Sequence, residues 1–106
     1  MGKYLFQATY TSEGAKGLAR VGGSARRASI AKTIAGLGGK LESFYYAFGD
    51  VDSYAVADLP DHESATAFAL AVNQGGAASV KTIVLMTVKQ VDKAVKKAVA
   101  YKAPGR

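Results

Sequence analysis

Three glycine pairs, Gly22-Gly23, Gly38-Gly39 and Gly75-Gly76, punctuate this chain and decide where its regular elements can run. Glycine is a poor helix interior and a good helix end, because without a Cβ it loses more backbone freedom on ordering. The segments between the pairs carry readable periods. Residues 3–11, KYLFQATYT, are rich in aromatic and β-branched types and predict a strand. Ser12 is the expected cap of a short helix near 13–21, and a longer helix follows near 24–37. In the longer one Ile30, Ile34 and Leu37 fall at i, i+4 and i+7, on one face. KLESFYYAF (40–48) and SYAVADL (53–59) predict two strands joined by a turn at 49–52, the second stopped by Pro60. Asp61 caps a helix to about Gln74 whose apolar face is Ala65, Phe68, Ala69 and Val72. ASVKTIVLMTV (78–88) predicts a fourth strand. Val91, Ala94, Val95, Ala98 and Val99 stripe a last helix over 90–102, with Lys93, Lys96 and Lys97 off the stripe, and 103–106 form a tail.

The order β-α-β-β-α-β plus a C-terminal helix is an α+β, ferredoxin-like plan: one domain over 1–102 with a four-stranded antiparallel sheet. Right-handed crossovers set strands one and three side by side and put both main helices on one face. The strands nevertheless offer apolar residues to both faces. Val84, Met86 and Val88 oppose Ile83 and Leu85, and Phe44, Tyr46 and Phe48 oppose Leu41, Tyr45 and Ala47. Burial is worth about 25 cal/mol per Å2, so a bare apolar face drives association. The expectation is a homo-oligomer joined sheet to sheet, with the C-terminal helix as the competing cover.

Composition narrows the function classes. With no cysteine there are no disulfides, thiolate metal sites or thiol nucleophiles, and a reducing compartment, the cytoplasm, is expected. The first ten residues carry one lysine and no long apolar run, so no signal peptide is expected, and no membrane span or lipid anchor either. Charge is blocked along the chain. Residues 1–40 hold seven Lys/Arg and one acid, 41–80 six acids and no Lys/Arg, and 81–106 seven Lys/Arg and one acid, leaving +6. Such a layout steers anionic partners or makes subunits complementary to one another.

Four aspartates fall within FGDVDSYAVADLPD (48–61). Asp50 and Asp52 sit in a strand link, where Asp bonds its own backbone, and Asp61 sits at an N-cap. Asp58 lies inside a predicted central strand, where an acid must be paired, solvated or face a cavity. His62 is the lone histidine, so no multi-histidine metal site exists, and neither metal nor cofactor is expected. Asp58 and His62 are the candidate acid–base residues. Gln7, Thr9, Tyr45, Tyr54 and Thr82 are the candidate ligand-binding residues, polar points of an otherwise apolar space beside the sheet. Interface packing is the alternative for the tyrosines. Lys16, Arg20, Arg26, Arg27 and Lys32 form a basic stretch able to meet phosphate, or a solvated turn. The RNA-reading strand motif, a phosphate-cradling loop and a nucleophile elbow are all absent.

The run SEGAKGLARVGGSARRASIAKTIAGLGGKLESFYYAFGDVDSYAVADLPD resembles the GYD-domain family of small bacterial and archaeal chains. GGSARR, GGKLESFYYAFG, the acidic turn and VADLPD carry the likeness, which spans roughly 3–92. Asp52 matches the family's acid, while Val51 replaces its tyrosine. The resemblance implies a ferredoxin-like fold that assembles through its sheet, of the dimeric α+β barrel type, and carries over no activity. Three readings stand. The first is an oligomeric small-molecule-binding or assembly protein. The second is a cofactor-light monooxygenase or isomerase using Asp58 or His62. The third is a binder of polyanions or nucleic acid.

Overall fold

β1 (Gly2–Tyr10) takes a central place in a four-stranded antiparallel sheet of order β2-β3-β1-β4, where β2 is Lys40–Tyr46, β3 Ser53–Leu59 and β4 Ala78–Leu85. The computed structural model describes residues 1–106. Four helices complete it: α1 (Ser12–Val21), α2 (Gly23–Gly36), α3 (His62–Gln74) and α4 (Val88–Val95). The protein is therefore α+β, and β1 does lie beside β3, as the crossover argument requires.

The core lies between one sheet face and the two long helices. Tyr4 and Phe6 of β1, Leu41 of β2, and Ala55, Ala57 and Leu59 of β3 meet Ile30 and Ile34 of α2 and Ala65 and Phe68 of α3. Phe6 and Phe68 make its tightest aromatic contact, edge to face at 4.7 Å between centroids. Small β3 residues let the helices approach while the β1 aromatics fill the layer between.

Local chemistry sets the boundaries. Thr11, not Ser12, caps α1, its hydroxyl accepting from the Gly14 amide at 3.2 Å. Ser12 already lies in the first turn, one residue too late to cap. Gly22 separates α1 from α2 at φ +89°, a conformation other residues resist. Asp61 caps α3 as expected, accepting from the Ser64 amide at 2.8 Å. β2 stops at Tyr46 rather than 48, because Phe48 adopts φ +57° and turns the chain out of the ladder. A bulge between Leu41 and Ser43 shifts the β2 register. It turns Leu41 to the helix side with Phe44, so the expected opposition of Leu41 to Phe44 and Tyr46 does not hold.

The C-terminal element differs most from expectation. β4 ends at Leu85, and α4 occupies 88–95 rather than 90–102. Thr87 and Gln90 form a reciprocal capping box that starts the helix three residues after β4 ends. No residue of α4 is buried; Val88 is 82% exposed and Val95 75%. The Cα radius of gyration is 16.9 Å and the longest extent 57 Å. A domain of this length is expected near 13 Å, so the C-terminal segment runs clear of the body.

Candidate functional site

The sheet face away from the helices is arranged in rows, because cross-strand partners in an antiparallel sheet share a face. Val56, Leu5 and Ile83 form an apolar row across β3, β1 and β4. Tyr45, Tyr54, Gln7 and Lys81 form the next row. On the other side Lys40, Asp58, Lys3 and Leu85 make an ionic row. Lys3 Nζ reaches Asp58 Oδ1 at 3.0 Å and Glu42 Oε2 at 2.8 Å. The hydrogen bonds to Glu42 and then Asp58 raise the Lys3 pKa. Tyr45 is 70% exposed, and no helix covers this face.

Gln7, Thr9, Tyr45, Tyr54 and Asp58 therefore share the open face. Thr82 does not join them. It pairs with Phe6, whose side chain is in the core, so Thr82 belongs to the helix side. The strand gave no mark of parity, since Thr82 and Ile83 are both acceptable on either face. Of the three possibilities for an acid in a central strand, Asp58 takes pairing, matched by Lys3. His62 lies at the opposite surface, its Nδ1 2.7 Å from the hydroxyl of Tyr4 and its ring edge-on to that phenol. Asp58 and His62 are thus on opposite faces and act on no common cavity. Asp52 ties the turn to β1. Its carboxylate accepts from the Tyr10 amide at 2.8 Å and its own amide donates to Ala8 O at 2.9 Å. Asp50 is exposed in the link. The acidic turn is a backbone clamp, and no group of three or more His, Cys, Asp or Glu is placed to hold a metal.

A second concave region opens on the helix side. Above the sheet, α2 packs on β2 and α3 on β4, leaving a groove of about 210 Å3 lined by Arg26, Ile30, Phe68 and Val72, among others. Beneath it a small apolar hollow, with room of about 20 Å3, is floored by Phe6, Ala8, Ser53 and Ala55. At the α1 end a wetter mouth of about 310 Å3 is lined by Tyr10, Glu13, Arg20, Arg26 and Ala77. Arg26 lines all three. It is half-buried, and its guanidinium makes no ion pair or hydrogen bond within the chain. Tyr10 donates to Ser53 Oγ at 3.2 Å, and Tyr46 donates to Gly23 O at 3.0 Å. Burial, then the charge of Tyr10, pushes the Tyr46 phenol pKa up, and the Arg26 charge opposes them. Sequence reasoning placed Arg26 in a basic stretch and missed this setting. The available signal was its i, i+4 spacing to Ile30, which puts both on the core-facing side of α2.

A family model described as the GYD domain matches residues 4–95. Set against curated proteins and against solved structures, the chain finds no match. The family match begins two residues into β1 and closes on the last residue of α4, so it takes in all of the sheet but Gly2 and Lys3, the clamp at Asp52 and the cleft around Arg26. The chain belongs to the GYD domain family.

Proposed function

We propose that this chain is the subunit of a homo-oligomer that joins through its open sheet face and holds a small molecule between the sheets. The observation that carries the reading is the bare apolar row Val56–Leu5–Ile83, which α4, the one competing cover, does not reach. The strand order fits a ferredoxin-like domain, and two such open faces opposed would make the dimeric α+β barrel type. Gln7, Thr9, Tyr45 and Tyr54 then become the polar points of the enclosed space. The isolated state of α4 favours the same conclusion. A helix of eight residues is marginal in water on its own, so its valine stripe calls for a surface on a neighbouring copy. No helix is long and apolar enough to cross a membrane, and the lack of cysteine fits work in the reducing cytoplasm.

Native mass spectrometry of freshly purified protein tests this. A multiple of 11.0 kDa is expected, with additional mass from a retained ligand. A monomer at micromolar concentration overturns the assembly. An oligomer that carries no extra mass and gains no heat stability from any small molecule leaves the assembly and removes the ligand.

A further inference from the structure

We propose that the cleft around Arg26 is a second binding site, for a small monocarboxylate with a compact apolar body. It lies on the helix side of the sheet and is independent of the open-face reading.

Three features select that chemistry. The first is the free cation. A guanidinium presents donors in a fixed fork that matches a carboxylate bidentately, and a half-buried one without an internal partner leaves that fork unused. Both ion pairs of the chain belong to Lys3 on the other face.

The second is the wall. Ile30, Phe68 and Val72 line both the groove and the hollow below it, giving an apolar body a surface directly beside the charge. The hollow has room for about one water, so the body lies in the groove between α2 and α3 and does not pass under it.

The third is the local charge. Glu13 and Arg20 of α1 and Arg26 of α2 line the mouth together, a balance of one positive charge. One negative charge on the ligand neutralises it, whereas a second, as on a phosphate dianion, would meet Glu13.

The test is a titration of uniformly 15N-labelled protein with benzoate at fixed ionic strength, alongside benzyl alcohol and inorganic phosphate. Saturable shifts are expected at the amides of Arg26, Ile30 and Val72 with benzoate. Arg26→Gln should weaken benzoate by about tenfold or more, the scale of losing a charge-assisted bidentate pair, and leave benzyl alcohol unchanged. Arg27→Gln, altering an exposed neighbour that lines none of the three spaces, should leave benzoate unchanged. Arg26→Lys keeps charge and stem but loses the fork, so it should also weaken benzoate, and it serves if the glutamine variant does not fold. Absence of saturable shifts overturns the proposal. So does equal weakening by the changes at 26 and 27, or phosphate binding as tight as benzoate, either of which marks an ordinary basic patch.

Discussion

Tyr4 brings its hydroxyl to 2.7 Å from Nδ1 of His62, joining the buried end of β1 to the exposed first turn of α3. The two partners are unequal. Tyr4 is 2% exposed, whereas His62 is solvated. Removing His62 strands a buried hydroxyl; removing the Tyr4 hydroxyl leaves a nitrogen that water can satisfy. His62→Ala should therefore cost about 1–3 kcal/mol, and Tyr4→Phe about 1 kcal/mol or less. Urea unfolding of both variants checks the order, and the reverse order would show that the bond does not constrain the phenol.

Two groups shape the alkaline limb of stability. The Lys3 pKa is raised above its ordinary 10.5 by hydrogen bonds to Glu42 and Asp58, and that of Tyr46 above 10.0 by burial. Both bind protons more tightly when folded. Their contributions are complete below the ordinary values and are lost as pH rises through the folded ones. Lys3→Met and Tyr46→Phe should each flatten the fall in stability above pH about 10. Denaturant midpoints measured from pH 8 to 12 decide it.

Asp61 contributes to the acid limb, because hydrogen bonds from the Ser64 side chain and backbone hold its carboxyl below the ordinary 3.8. A lowered carboxyl stabilises fully above the ordinary value, and this is lost as pH falls through the folded one. Asp61→Asn keeps a capping oxygen but cannot titrate. Its stability should fall less than that of the unchanged protein as pH drops from about 4 to 2.

Two helix-region glycines should respond oppositely to alanine. A Cβ on Gly39 would collide with the Asp58 carbonyl and lie 2.7 Å from Leu59 Cδ2, so Gly39→Ala should destabilise by about 1–3 kcal/mol. Gly17, inside α1, has nothing within 4 Å of that position. Gly17→Ala should stabilise by about 0.5–1 kcal/mol. Thermal melts of the pair separate backbone freedom from space.

On the open face, Ile83→Asp places a charge in the apolar row without touching the core. Under the proposed sheet-to-sheet assembly it should yield an 11.0 kDa species with an unchanged circular dichroism spectrum. Light scattering coupled to gel filtration reads the mass; an oligomer that survives the change does not use this row.

Much of the fold was legible because local signals and the tertiary solution agree. The Ile30/Ile34 spacing, the cap at Asp61 and the apolar strand residues each predict the position that packing then uses. The misreadings arose where one residue changes direction. A bulge beside Glu42 reverses the parity of Leu41, and nothing in KLESFYYAF announces it. Thr11 and Ser12 are equally able to cap, and the hydroxyl that wins also bonds Gly76 O at 2.9 Å, a contact sixty-five residues away. Thr82 could occupy either face until its pairing with Phe6 was known. The cleft escaped because an arginine in a run of basic residues looks solvated, whereas the splay of α2 from α3 that encloses Arg26 is a property of the whole layer.

The bulge in β2 reaches beyond its own strand. β2 is an edge, and an edge with regular, unpaired amides is a template on which another copy's strand can grow. Between Leu41 and Ser43 the ladder spacing is broken, and the displaced residue, Glu42, holds its carboxylate on Lys3. A strand arriving from outside would find the amides out of step at this point. The irregularity thus works against growth of the sheet along the hydrogen-bonding direction on the β2 side.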